Sequence, residues 1–271
     1  MSTARVAMLG VPYDASSSFL RGAAGAPVVI REALWSEAGN SWTEMGINLR
    51  EAPLDDEGDL WFAEGEPGAE ARERIAAAVE SVAASGRRPL VLGGDHSITY
   101  PVLRGFRAHH PRLTILHLDA HPDLYDEFEG DRYSHACPFA RVLEEGLADR
   151  LVQVGIRTAS GHQREQARRF GVEMIEMKDW RDGMPLRLVG PVYLSFDLDA
   201  LVPGLVPGIG HREPGGLTVR QALAIIHGLD APLAGADLVE FNPVNDPTGI
   251  TAAVCGKLVR EIAGQMLQET P

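Results

Sequence analysis

The sequence predicts an α/β fold, a mostly parallel sheet covered by helices on both faces. Two observations lead to it. Short apolar runs rich in Val, Leu and Ile recur along the 271 residues and alternate with segments of helical character. These runs are continuous rather than alternating polar and apolar, as expected of strands buried on both faces. In order, Val6 to Gly10 is the first predicted strand, and residues 27–35 are a helix that opens on Pro27. Residues 69–85 form an Ala-rich helix with Glu and Arg on one side. Strands are expected at 88–92, 114–118, 151–154, 191–196 and 235–239, and helices near 98–107, 138–146, 162–170 and 219–228. A closing helix spans 251–267. No internal repeat or low-complexity linker appears. The Gly/Pro-rich stretch 202–216 is too short for a flexible linker and reads as a loop over a site, so residues 1–271 are expected to form one domain.

Composition narrows the function. A formal net charge of -13 argues against non-specific binding to nucleic acid or anionic membranes, which basic patches support. Cys137 and Cys255 lie far apart and form no zinc-type pair, which points to reduced thiols and a cytoplasmic protein. The N-terminal residues lead almost directly into a strand, so no signal peptide is expected, and no apolar stretch is long enough to span a bilayer.

Four short runs carry the chemistry: Gly93-Gly94-Asp95-His96-Ser97, Asp119-Ala120-His121-Pro122-Asp123, Asp197-Leu198-Asp199 and Glu240-Phe241-Asn242-Pro243. Each follows a predicted strand, and in open parallel sheets ligands sit beyond the carboxyl ends of the strands. Side chains two apart in an extended segment share a side, so Asp119, His121 and Asp123 face together, as do Asp197 and Asp199, while His96 adds a nitrogen from a third strand. Alone, the first run is a glycine turn with a helix cap, and an Asp-x-Asp pair is common on surfaces. Buried Asp and His after an apolar strand are different, because they must be paired or ligated. Carboxylates and imidazoles without thiolate suit manganese, with iron, cobalt or nickel as possible substitutes. Four carboxylates balance two divalent cations, an arrangement that lowers the pKa of bound water from 15.7 towards ~7 and favours a small cationic substrate.

In these motifs the chain resembles the ureohydrolase family, which includes arginases and agmatinases. The likeness runs from Gly10-Val11-Pro12-Tyr13 to the last helix. Ser17-Ser18-Phe19-Leu20-Arg21-Gly22, Phe128-Glu129-Gly130, Tyr133-Ser134-His135-Ala136 and Glu213-Pro214-Gly215-Gly216-Leu217 look especially like the plant-type arginase branch. The resemblance implies a three-layer αβα sandwich and two Mn2+. One ion would be held by His96, Asp119, Asp123 and Asp197, the other by His121, Asp119, Asp197 and Asp199, with Asp119 and Asp197 bridging. It gives His135 the role of moving a proton to the leaving amine and Glu240 that of pairing with the substrate guanidinium. Asp95 is expected to make structural hydrogen bonds, and His109, His110 and His162 to lie at the surface.

Three departures from the family pattern bear on the substrate. Val202 stands where relatives carry an Asp before Pro, and supplies no side-chain acceptor to order its loop. His211, in Ile209-Gly210-His211-Arg212-Glu213, either touches the guanidinium region or braces the loop. Asp131 replaces a common Asn, where it would repel an α-carboxylate and attract an amine, with Arg132 in a position to compensate. The reading is an amidinohydrolase that releases urea and an amine from agmatine or arginine, in a trimeric or hexameric homo-oligomer, with agmatine used at least as well as arginine. The alternatives are a hydrolase of formimidoylglutamate or a smaller guanidino compound, a catalytically silent binding subunit and, more weakly, a metal-dependent deacetylase.

Overall fold

The computed structural model describes residues 5–268. Residues 1–4, on which the signal-peptide expectation rests, lie outside the described residues. Eight strands form a single sheet: β1 (Val6–Gly10), β2 (Leu54–Asp59), β3 (Arg88–Leu92), β4 (Thr114–Leu118), β5 (Arg150–Ile156), β6 (Glu173–Glu176), β7 (Val192–Asp197) and β8 (Leu233–Val239). Their order across the sheet is β2-β1-β3-β8-β7-β4-β5-β6, and every neighbouring pair is parallel.

Side chains alternate between the two faces and build two cores. Leu90, Leu92, Leu116, Leu118, Leu194 and Phe196 pack with α1 (Ala26–Leu34), α6 (Val219–His227) and α7 (Ile250–Leu267). Val91, Ile115, Leu151 and Tyr193 pack with α2 (Gly68–Ala84), α3 (Thr99–Arg107), α4 (Pro138–Glu144) and α5 (Gly161–Phe170). Three layers result, as an αβα sandwich requires.

The two strands that the apolar-run criterion does not find, β2 and β6, are the two edges of the sheet. An edge strand pairs on one side only and borders water, so it carries no apolar run. In β2, Leu-Asp-Asp-Glu-Gly-Asp, the last four residues are exposed, and Arg31 and Arg87 pair with its acids. Such charge blunts an edge against further strand pairing.

The middle of the sheet matters most for function. β7 and β8 insert between β3 and β4, so β3, β8, β7 and β4 are contiguous. These are the strands whose carboxyl ends carry the four signature runs. Both cysteines are free and buried. Among the described residues no helix is long and apolar enough to cross a membrane.

Candidate active site

Each signature run makes the same local turn. A side-chain oxygen accepts the backbone N–H two residues on, which halts the strand and folds the next side chains over its end. Asp95 takes Ser97 N at 3.0 Å, Asp119 takes His121 N at 2.6 Å, Asp197 takes Asp199 N at 2.8 Å and Asn242 takes Val244 N at 3.1 Å. Asp95 also accepts Ser16 N at 2.9 Å, so its part is structural, as expected. The glycines before it serve close approach: a Cβ on Gly94 would lie 1.8 Å from Tyr13 O, and one on Gly93 would lie 2.6 Å from Val239 Cγ1. Asp123 (φ 50°) and Glu240 (φ 64°) both occupy the left-handed region, which non-glycine residues rarely adopt and which recurs where a site demands it.

The six predicted ligands converge. His96 Nδ1 lies 3.2 Å from Asp119 Oδ2, 3.0 Å from Asp123 Oδ2 and 3.1 Å from Asp197 Oδ2, yet makes a hydrogen bond to none of them. His121 Nδ1 lies 2.9 Å from Asp199 Oδ2 and 3.5 Å from Asp119 Oδ1. Asp119 therefore turns one oxygen to each histidine. Burial pushes Asp197 well above the usual carboxylate range, and the charges of Asp199 and Asp119 add to it. Burial and Asp119 raise Asp199 to about 6. Burial would raise Asp119 too, but His117, His121 and His96 hold it well below the ordinary range. An orphaned buried nitrogen ringed by three carboxylate oxygens, beside a second carboxylate–imidazole group, fits two hard divalent cations.

Beneath this cluster runs a row of buried polar side chains. Gln153 on β5, His117 on β4, Ser195 on β7 and Asp237 on β8 are in register across four adjacent strands. They connect upward to the ligands. His117 Nε2 meets Asp119 Oδ2 at 2.7 Å, and Ser195 Oγ meets His96 Nε2 at 3.0 Å. Asp237 anchors the row by accepting from Ser195 Oγ at 2.7 Å, Tyr193 OH at 2.9 Å and Thr99 Oγ1 at 3.0 Å. Partners of this kind fix the tautomer and orientation of metal-binding groups.

A cavity of about 180 Å3 opens over the cluster. Ser18, His135, His211 and Glu240 line one part of it. Glu240 Oε1 accepts His96 N at 2.8 Å and His135 Nδ1 at 3.2 Å, while Oε2 has no partner among the described residues. His135 Nε2 meets Ser18 Oγ at 2.9 Å. Burial works against a charged His135, but Glu240 and then Asp95 outweigh it and lift the imidazole to about 9. His211 stacks on His135 with ring centroids 5.2 Å apart, and burial followed by the His135 charge lowers its pKa.

The structure does not bring Asp131 or Arg132 to the cavity. Residues 128–131 form a tight turn through Glu129 (φ 52°) and Gly130 (φ 83°). Asp131 Oδ1 accepts Tyr133 N at 2.8 Å, and Arg132 reaches away to Glu144 at 3.0 Å. Neither lines the cavity. The loop around Val202 is held without a side-chain acceptor there. Val202 N donates to Leu217 O at 2.9 Å, and the Arg157 guanidinium reaches Asp199 O and Glu213 O, both at 2.6 Å. Sequence reasoning missed Ser18 as a partner of His135, the polar row, Arg157 and the cavity residue Gln163. A polar residue two places before a ligand on both β4 and β7 was the available signal for the row.

Comparison with known proteins places this geometry in context. A profile of the arginase family matches residues 4–264. Arginase 1, mitochondrial, from Arabidopsis thaliana is 48% identical over 279 residues, which span 97% of this chain and 81% of that relative. The N(1)-aminopropylagmatine ureohydrolase of Thermus thermophilus is 38% identical, over 89% of this chain and 83% of its own length. Among solved structures, the arginase from Medicago truncatula superposes with a TM-score of 0.91 at 45% identity, covering 97% of this chain and 87% of the other.

Proposed function

The chain belongs to the arginase family of hydrolases, and on that premise we propose that it is a manganese-dependent amidinohydrolase, cleaving arginine or agmatine to urea and an amine. The observation that carries this reading is the Glu240 carboxylate. One oxygen is occupied by His96 N and His135, and the other is left free at a cavity that four of the six metal-type ligands, His121, Asp123, Asp197 and Asp199, also line. A guanidinium is a cation such a carboxylate binds well, because its N–H groups donate charge-assisted hydrogen bonds to the free oxygen.

His96, Asp119, Asp123 and Asp197 would hold one ion, and His121, Asp119, Asp197 and Asp199 the other. When bound, the two ions offset the carboxylate charge and supply water activated at neutral pH. The protein's own groups do the rest. Glu240 fixes the guanidinium plane, which removes much of the entropic cost of bringing its carbon into line. The Glu240 carboxylate and the Asp95 charge favour the protonated form of His135. It rests against Ser18 Oγ and delivers that proton to the nitrogen that departs as amine. Stacking by His211 and the bond to Glu240 hold the ring in place.

The test is a urea assay of manganese-loaded protein against guanidino compounds with and without α-carboxylates. Urea from arginine or agmatine supports the reading. Formamide from a formimino compound, with no urea from any guanidino compound, refutes it.

A further inference from the structure

We infer that Gln163 selects the substrate by its tail: its amide nitrogen donates to an oxygen at the far end of the guanidino compound, so substrates that carry a carboxylate there are preferred to those that end in ammonium. The inference rests on the amidinohydrolase reading above and names the residue that decides between its two substrates.

Apart from His211 and the proposed ligands His121, Asp123, Asp197 and Asp199, the polar groups of the cavity fall into two sets. Ser18, His135 and Glu240 are bonded to one another and leave a carboxylate oxygen for a cation. The second set is Tyr125, Phe128, Thr158 and Gln163. Tyr125 packs on Phe128 with centroids 5.3 Å apart and stacks on His162, in the first turn of α5, at 5.7 Å. Gln163 sits in that same turn and is only 2% exposed. Its Oε1 accepts Ser160 N at 3.0 Å, while its own N donates to Ser160 Oγ at 3.3 Å. This reciprocal cap assigns the amide. The oxygen is used at the helix start, so the nitrogen is the remaining donor, and it has no protein partner among the described residues. Nor do the hydroxyls of Thr158 and Tyr125.

A nearly buried amide with unused N–H groups calls for an acceptor. No carboxylate belongs to this second set. The carboxylates that line the cavity are Glu240 and the proposed metal ligands Asp123, Asp197 and Asp199, whereas Asp126 takes Gln166 Nε2 at 2.6 Å and does not line it. The amino end of α5 adds partial positive charge at the same place. The set thus offers donors to a carboxylate and no anion to an ammonium.

Gln163→Glu tests this directly. Glutamate keeps an oxygen for Ser160 N, so the helix cap persists, but the donor nitrogen is replaced by the other oxygen of an anionic carboxylate. The ratio of kcat/KM for arginine to that for agmatine is expected to fall about 10- to 100-fold, the range of a hydrogen bond to a charged group. The loss for arginine should fall mainly on KM, and agmatine should gain. Calorimetry gives a readout independent of turnover: ornithine, the product amine with the carboxylate, should lose affinity relative to putrescine, the one without it. Gln163→Leu, checked by thermal melting, should lower the ratio by a smaller factor. An unchanged ratio in a Gln163→Glu protein that melts like the parent overturns the role of Gln163 alone. So does a preference of the unmodified protein for agmatine. Absence of urea from every guanidino compound overturns the amidinohydrolase reading and this inference with it.

Discussion

Replacing Glu240 with Gln should remove a pH-dependent part of the protein's stability as well as its activity. Glu240 Oε1 and His135 Nδ1 are 3.2 Å apart and buried. At that distance and an effective dielectric near 20, their attraction is about 5 kcal/mol. Burial of the imidazolium takes part of this back. The movement of His135 from 6.5 to about 9 corresponds to about 3 kcal/mol, at ~1.4 kcal/mol per tenfold. A pKa raised on folding stabilises fully below the unfolded value and is lost as pH rises through the folded one. Glu240 is held below its ordinary range: burial opposes this, but His135 and His96 N outweigh it, so its contribution is lost only in acid. The pair therefore stabilises most between about pH 5 and 6.5 and fades towards pH 9. In chelator-treated protein, where no divalent cation adds charge, Glu240→Gln should melt roughly 5–10 °C below the parent near pH 6, and the gap should close towards pH 9. Scanning calorimetry across that range measures it. A gap that is constant with pH would show that Glu240 acts through its shape, and that the charge pairing derived from the geometry is wrong.

Asp119→Ala should strip both metals, because its two oxygens face different histidines, whereas His96→Ala should weaken mainly one; metal analysis after dialysis separates the two outcomes. His135→Asn should cut urea release by ~100- to 10,000-fold and leave metal content intact, and an unchanged rate and pH profile would return His135 to a structural role. Asp131→Asn should leave the arginine-to-agmatine ratio within about twofold of the parent, since the side chain caps Tyr133 N away from the cavity; steady-state kinetics on both substrates would expose a larger shift.

The central strands were legible because burial on both faces demands uninterrupted apolar residues, and the convergence of the six Asp and His side chains was legible because such residues directly after buried strands have few other uses. The edges were not, since β2 and β6 need only one paired side and can be as polar as a loop. His117, Ser195, Asp237 and Gln153 look like isolated polar breaks in separate strands. Only the sheet order makes them neighbours, and a local pattern does not encode that order. The placement of Asp131 was not legible for a different reason: it follows a turn through two left-handed residues, Glu129 and Gly130, and its side chain accepts Tyr133 N. Gln163 was readable as the far end of a Ser-x-x-Gln cap, but its free nitrogen becomes visible only when α5 is set against the cavity.

The insertion of β7 and β8 between β3 and β4 also sets a timetable. Contacts between segments far apart in the chain form slowly, because loop closure precedes any gain from pairing. The His96 N–Glu240 bond closes across 144 residues, and it forms only once β8 has entered the middle of the sheet. During synthesis β3 and β4 emerge early and wait, with apolar flanks open, for partners made last. Asp197 and Glu240, both part of the candidate site, arrive with those late strands. The candidate site is thus completed only at the end of folding, and the half-made sheet is the stage most exposed to aggregation.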